Sequence, residues 1–371
     1  MSQSFISAST VTIGGTTFDP ISFDVTQDNS WTPLWQGTIV LPAAGAPAID
    51  PKTWPRINLK WWFGTHDQAS PPLVLDYDFI VRAYVRDWVN DTVTLSVSSG
   101  EVMLQDYRNA GADYQPGIIS LKAMVDYAMG KVGATIGTGS GPTYYDTSPL
   151  PNVNIPAQAT IWKAGQTLDD WLRGALRSQG FEIFETCVLA TRPEITFYDI
   201  ANGIGKAGRI GGDVNAVYGQ NVIEMRSGFD MDSTGWADAA VVEYNWTTAA
   251  GAVQRKIYAK TPAGAFHRVE YVQLQSADPG FDPAPSVLAM AAAAAATAEI
   301  ATYPTPTTWL SNQLVPPAVG DFLHYQDASA TTYDTTVTRV QYSYPADRIT
   351  WGLSAAQARG SALPPNILPV P

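Results

Sequence analysis

The apolar residues of this chain recur at two different periods, and the order in which those periods appear restricts the fold more than any other feature. Up to about residue 105 the period is two. Ile21-Ser22-Phe23-Asp24-Val25 alternates strictly, as does Arg56-Ile57-Asn58-Leu59-Lys60-Trp61, and Gln36 to Leu41 is β-branched and stops at Pro42. Asp78 to Val85 and Thr92 to Val97 flank Asn90-Asp91, a turn pair. Such a run of strands with polar turns predicts an antiparallel sandwich or barrel over residues 1–105.

Near residue 106 the period becomes helical. Leu121, Met124, Val125, Ala128 and Met129 fall on one face behind Ser120, a residue that caps helices. Thr167-Leu168-Asp169-Asp170 opens a second helix, with Thr167 as its cap, running through Trp171 and Leu172 to Gly180. Strands are expected at Phe181 to Phe184 and Glu194 to Tyr198, and the Gly, Pro and Thr-rich stretch from Gly137 to Pro156 reads as an ordered loop or β-excursion. Residues 106–225 are therefore expected to form a small α+β domain.

Period two returns in 226–358, at Ala239 to Tyr244, Arg268 to Leu274, Phe322 to Tyr325, Thr335 to Tyr342 and Arg348 to Leu353. An alanine-rich helix, Ser286 to Thr302, interrupts those strands and is closed by Pro304. Residues 359–371 are proline-rich and read as an extended tail. The fold class expected is mainly β, two antiparallel β-sandwich or barrel domains flanking a small α+β domain.

Composition narrows the function. Charged residues make up 15% of the 371, against a typical value of about 25%. A surface so poor in charge is expected to meet other subunits. The net charge of −12 repels a phosphate backbone, which disfavours tight nucleic-acid binding and suits a conduit through which DNA slides. Cys187 is the sole cysteine, so an intrachain disulfide and a cysteine-rich zinc site are excluded. No secretion leader opens the sequence and no apolar run is long enough to span a bilayer, so a soluble or assembled product made in the cytoplasm is expected.

Signatures of chemistry are weak. Gly203-Ile204-Gly205-Lys206-Ala207-Gly208 matches a dinucleotide fingerprint, but Arg209 to Val214 offers no helix to receive a pyrophosphate, so a glycine-rich turn is expected. His66, His267 and His324 are too far apart in sequence for a metal motif. Cys187 has no base beside it in sequence and reads as a small apolar side chain. Gly130-Lys131 and Gly205-Lys206 lack the Ser or Thr of a phosphate-binding loop. The pairs Asp169-Asp170 and Asp230 with Asp232 could serve a glycosidase only if two carboxylates faced one cleft, and Asp169-Asp170 has a helix-start role. No catalytic, cofactor-binding or metal-binding residue is assigned, and no cofactor is expected. Trp31, Trp35, Trp54, Trp61, Trp62 and Trp88 crowd the first 90 residues. They suit a core with subunit contacts or, as the alternative, a carbohydrate-binding platform.

Three segments carry a resemblance. Phe23 to Pro42, with Asp28, Trp31 and Pro33 leading into Gln36-Gly37-Thr38-Ile39-Val40-Leu41-Pro42, resembles the opening of minor tail proteins of long-tailed phages from actinobacterial hosts. Leu95 to Tyr107, containing Ser99-Gly100-Glu101 and Leu104-Gln105-Asp106-Tyr107, is similar to the stretch that closes the first domain in that family. Trp162 to Leu172 is similar to its helix start, although Lys163-Ala164 replaces the usual proline context. The resemblance covers most of the chain up to about residue 200 and is fainter beyond. It implies a non-enzymatic virion protein, the baseplate hub at the tail tip, with two tail-tube-like β domains per chain. Three chains would form a homotrimeric, pseudo-sixfold ring lining the DNA ejection channel. Implied partners are a distal tail protein or the tail tube above, tip or central fibre proteins below, and the tape measure protein and transiting DNA in the lumen. The alternative is a receptor- or carbohydrate-binding tail protein using the tryptophan-rich domain.

Overall fold

The computed structural model describes residues 5–28, 33–65, 73–117, 120–136, 143–185, 193–199, 214–217, 222–225, 239–248, 250–260, 269–275, 309–311, 319, 322–326, 332–353 and 357–358. The first region forms strands β1 (Phe5–Ile13), β2 (Thr16–Phe18), β3 (Ser22–Asp28), β4 (Trp35–Pro42), β5 (Arg56–Thr65), β6 (Leu73–Asp87) and β7 (Thr92–Ser98). The strand segments of the sequence are all here, one to seven residues longer than their patterns. A short helix absent from the sequence reading, α1 (Val102–Asp106), follows at once and buries Val102, Met103 and Leu104.

Next come α2 (Leu121–Lys131), β8 (Thr135–Ile136), β9 (Tyr144–Tyr145), α3 (Leu168–Ser178), β10 (Phe181–Glu185) and β11 (Glu194–Asp199). Both helices start as expected. Ser120 Oγ accepts from the Ala123 amide at 3.3 Å, and Thr167 Oγ1 accepts from that of Asp170 at 2.9 Å. The stretch read as a loop or β-excursion contributes β9, which pairs in parallel with β11 and β8 in a sheet of order β10-β11-β9-β8.

The remaining strands are β12 (Val214–Val217), β13 (Val222–Met225), β14 (Ala239–Thr247), β15 (Val253–Lys260), β16 (Val269–Gln275), β17 (Trp309–Ser311), β18 (Phe322–Gln326), β19 (Thr332–Tyr344), β20 (Arg348–Leu353) and β21 (Gln357–Ala358). The expected helix Ser286 to Thr302, the turn Gly203 to Gly208 and the proline-rich tail lie outside the described residues.

The mainly β fold is held together by one fourteen-stranded sheet whose main path runs β13-β17-β20-β19-β3-β4-β7-β6-β5-β1-β2. Its central link joins the two ends of the chain: β19 pairs antiparallel with β3, from Arg339 opposite Asp28 to Tyr344 opposite Phe23. Asp24 reinforces the link by accepting from Gln341 Nε2 at 2.8 Å and from Ser343 Oγ at 3.0 Å. Beside it, β3 and β4 approach so closely that only a glycine fits at position 37, since a Cβ there would stand 2.3 Å from the Asp24 carbonyl.

The main core draws on both arms of this sheet. Trp35 stacks on Tyr77 and Tyr342, and Trp61 meets Phe23 edge-on, with Trp35, Trp61, Phe79, Tyr342 and Trp351 all buried. A second core lies under α2 and α3, around Met124, Trp171, Leu172 and Phe197, and takes Ile80 from β6. Phe184 and Tyr198, from the four-stranded sheet, in turn enter the first core. The two cores therefore interlock along β6 and β10.

Candidate functional site

Three places concentrate polar chemistry or exposed apolar surface. The first lies at the seam between the two cores. Glu185, at the end of β10, is completely buried, and its Oε1 accepts from Arg56 Nη2 at 2.6 Å. Its Oε2 accepts from the Tyr77 hydroxyl at 2.5 Å and from the Gly100 amide at 2.7 Å. Arg56 also donates to the Asp78 carbonyl at 2.7 Å and to Thr143 Oγ1 at 3.2 Å. Glu101 closes the cluster, its Oε1 accepting from the Glu185 amide at 2.7 Å. Burial, and then the neighbouring Glu185 carboxylate, push the Glu101 pKa up to about 7. The Tyr77 hydroxyl is raised well above its ordinary value, first by burial and then by Glu185. A Cβ at Gly100 would meet Glu185 Oε1 at 2.3 Å and Arg56 Nη2 at 2.8 Å, so a larger residue there would displace both ends of the ion pair. The Ser99-Gly100-Glu101 segment is thus the socket that receives Glu185, and the cluster ties β5, β6 and α1 to β10.

The second place is the tip of the β6–β7 hairpin. Trp88 is 77% and Val89 91% exposed there, beside an exposed Val85. The tip is nevertheless ordered by its own bonds. Asp87 Oδ1 accepts from the amides of Val89 at 2.8 Å and Asn90 at 3.1 Å, and its Oδ2 accepts from Asn90 Nδ2 at 2.6 Å. Bonding to Asn90, through side chain and then backbone, holds the Asp87 pKa below its ordinary value. The Arg86 guanidinium lies 4.0 Å from the centre of the Trp88 ring.

The third is the separate sheet β15-β14-β16, in which β14 runs antiparallel to β15 and parallel to β16. Val242 and Tyr244 are buried in the main core, and Trp246 and Tyr258 pack against it, which fixes the inner face. By register the opposite face carries Val253, Arg255 and Ile257 of β15 with Val269 and Tyr271 of β16. All four of its apolar or aromatic side chains are exposed. At its centre Glu243 accepts from Asn245 Nδ2 at 2.7 Å, Tyr271 Oη at 2.8 Å and Arg255 Nη2 at 2.5 Å. Those bonds, Asn245 first and then Tyr271, bring its pKa down to about 2.

Of the residues weighed in the sequence, Asp169 and Asp170 stand at the start of α3. Asp169 forms an ion pair with Arg173 at 2.7 Å, and Arg173 also pairs with Glu182, so this acidic pair is structural. His324 lies on β18 opposite Asp334 of β19 and Asn215 of β12. His66, His267, Cys187, Asp230 and Asp232 lie outside the described residues. Among the described residues no group of three His, Cys, Asp or Glu side chains could hold a metal ion, and no helix is long and apolar enough to cross a membrane.

Trp31 lies outside the described residues, and the described tryptophans do not form one platform. Trp35 and Trp61 are core, the latter donating Nε1–H to Ser7 Oγ at 2.8 Å, while Trp54 donates to Asp106 Oδ2 at 3.2 Å. Trp88 is far the most exposed tryptophan of the described residues. Neither the seam cluster nor the outer face of β14–β16 was read from the sequence. The one available signal was an acid set among apolar residues, Glu185 at the end of β10 and Glu243 in the middle of β14.

No protein-family model matches the sequence, and no curated protein matches it. Solved structures do. A tail protein from Neisseria meningitidis MC58 aligns over 95% of this chain and 96% of its own, with a TM-score of 0.55 at 12% identity. The 43 kDa tail protein of prophage MuSo2 from Shewanella oneidensis aligns over 94% and 96%, with a TM-score of 0.51 at 12% identity. An Escherichia coli type VI secretion component, described as structurally similar to the T4 bacteriophage tail proteins gp27 and gp5, aligns over 97% of this chain and 80% of its own, with a TM-score of 0.50 at 10% identity. The chain therefore shares the fold of phage tail proteins and of a tail-like secretion component, from end to end of the two tail proteins.

Proposed function

We propose that this chain is a structural component of a phage tail, the hub at the tail tip, and that three copies form a ring around the channel through which DNA leaves. The observation that carries this reading is the match of fold along almost the whole length of both this chain and known tail proteins. The fourteen-stranded sheet supports it, because β3 and β19 make the two β regions of one chain a single continuous wall. Two β regions in each of three chains would present six similar faces to a sixfold tube above and three to a tip below. A net charge of −12 suits a lumen that DNA must cross without adhering. On this reading the partners are two further copies, the tail tube or a distal tail protein, tip or fibre proteins, and the tape measure protein with DNA inside. No catalysis is assigned to the chain.

Electron-microscopy class averages of the purified protein, alone and with its neighbouring tail proteins, test the proposal. Threefold rings with a central hole are expected. Compact monomers in both samples would overturn it and leave a receptor- or glycan-binding tail protein as the working reading.

A further inference from the structure

Glu101 stands where the chain passes from one core to the other. Just before it, Ser99 is fastened to β4, its amide donating to the Trp35 carbonyl at 3.1 Å and its Oγ accepting from the Trp35 amide at 3.0 Å. Just after it, α1 buries Val102, Met103 and Leu104 in the second core. The Glu101 carboxyl meets the end of β10, beside Phe184, which enters the first core. Charge at this crossing does not balance. Glu101 and Glu185 are both buried, and among the described residues Arg56 is the one cation paired with either. The other ionisable groups facing Glu101 are the hydroxyls of Tyr77 on β6 and Tyr198 on β11. Arg173 and Arg177, the next cations, are paired with Asp169 and Glu182. Asp78, which adds to the negative field at Arg56, accepts from Asn58 Nδ2 at 2.8 Å.

With both carboxylates ionised the seam would hold a net negative charge away from water, which is costly without a partner. One proton restores neutrality, and the hydrogen bonds set its place. Both oxygens of Glu185 accept from guanidinium, hydroxyl or amide donors, whereas Glu101 Oε2 is buried with no hydrogen-bond partner among the described residues. A bare carboxylate oxygen is less tolerable there than a neutral hydroxyl. We infer that Glu101 is a proton-operated latch between the two cores: protonated, it holds α1 and β10 together, and on losing its proton it repels Glu185 and lets them loosen. The latch acts within one chain and does not depend on the ring.

Burial first, and then Glu185, raise the Glu101 pKa to about 7, against the weaker opposing effect of bonds to Ser99 and the Glu185 amide. The closed seam therefore binds the proton more tightly than an opened one, in which the carboxyl faces water. The advantage of the closed form is complete below the ordinary carboxylate range, falls as pH rises, and is gone above about 7. Two amides make the loosening readable, since that of Gly100 donates to Glu185 Oε2 and that of Glu185 donates to Glu101 Oε1. A glutamine at position 101 would keep the second of these bonds at every pH, so pH dependence is what the acid adds.

Hydrogen exchange of the full chain, corrected for intrinsic rates, tests the latch at the Gly100 and Glu185 amides. Their protection is expected to fall roughly 50- to 100-fold from pH 5 to pH 8, most of it before pH 7, while the amides of α2 and of the paired β1 and β5 keep theirs. Glu101→Gln is expected to remove this pH dependence. Infrared titration of the parent chain needs no variant: the carbonyl stretch of a protonated carboxyl is expected to disappear with an apparent pKa near 7, apart from the exposed acids that titrate at about 4. Constant protection of both amides from pH 5 to pH 8 would overturn the latch. So would the same trend surviving in Glu101→Gln, which would put the proton elsewhere. Equal loss of protection in α2 and β1 would overturn it in favour of global unfolding. Where Glu101→Gln does not fold, a parent chain with no carboxyl titrating near 7 would overturn it as well.

Discussion

Trp61 and Ile257 both stand within strands, yet Trp61 is completely buried and Ile257 is 49% exposed. The difference follows from what lies behind each strand. Strand β5 belongs to the long sheet, where the rings of Phe23 on β3, Phe63 on β5 itself and Tyr342 on β19 close over Trp61. Strand β15 is an edge of a three-stranded sheet that has one face on the core. Antiparallel strands with one covered face leave the alternate residues to solvent, and those residues are ordinarily polar. Here Val253 and Ile257 occupy the uncovered face, so its surface resembles half of an interface. The long sheet serves the stability of the single chain, and the small one presents a surface.

The sharpest way to break that contrast is mutation to alanine at matched positions. Trp61→Ala is expected to lower the unfolding free energy by about 3 to 5 kcal/mol, through lost burial and a cavity beside Phe23 and Phe63. Ile257→Ala should change it by less than about 0.5 kcal/mol in the isolated chain, because exposed positions make few contacts. Denaturant titrations of both variants compare them directly, and a large loss in Ile257→Ala would erase the distinction between the two sheets.

The seam cluster should be nearly as sensitive. Glu185→Ala leaves the Arg56 guanidinium buried without its anion, and a loss of about 3 to 5 kcal/mol is expected. The pair Arg56→Met with Glu185→Leu removes both charges and should recover much of that loss. If the double variant is no more stable than Glu185→Ala, the bonds of Glu185 to Tyr77 and Gly100 carry the seam, rather than charge pairing.

Acidity separates the regions by sign. Glu101 has a raised pKa in the folded chain, so the fold binds its proton more tightly than the unfolded chain does. Its favourable contribution is complete below the ordinary carboxylate range and is lost as pH rises through about 7, a change of up to about 3 kcal/mol. Glu243 has a lowered pKa, so its contribution is present above the ordinary range and disappears as pH falls toward about 2. Hydrogen exchange, corrected for intrinsic rates, should show α1 and β10 loosening from pH 5 to 8, and β14 to β16 loosening only in acid. Glu101→Gln should abolish the first trend and leave the second.

Much of the main sheet was legible because its strands alternate. β15 was not, since Val253-Gln254-Arg255-Lys256-Ile257-Tyr258-Ala259-Lys260 has no apolar period of two, and pairing with β14 makes it a strand. The pairing of β3 with β19 joins residues more than 300 positions apart, as between Gln341 and Asp24, separated by 317. No local pattern encodes such a contact. The seam cluster was hidden for the same reason, as Arg56 and Glu185 are 129 residues apart. The family-like segment around Ser99-Gly100-Glu101 was visible as a motif, and its physical cause, space for the Glu185 carboxylate, appears only once β10 is in place.

The helix starts were the most legible features of all, and they supply the smallest test. Thr167 Oγ1 accepts from the Asp170 amide at 2.9 Å and Ser120 Oγ accepts from that of Ala123 at 3.3 Å, so the shorter bond belongs to α3. Thr167→Ala and Ser120→Ala are each expected to cost about 1 kcal/mol, with the larger loss at Thr167. The ordering has a second cause. α3 carries Asp169 and Asp170 in its first turn, whose charges favour the positive end of the helix, whereas α2 has no acid there. Since Asp169 is also bound to Arg173, fraying that turn would disturb the Arg173 and Glu182 pairing that holds α3 to β10. Equal losses in the two variants, measured by urea titration, would mean that each cap acts through its own hydrogen bond alone.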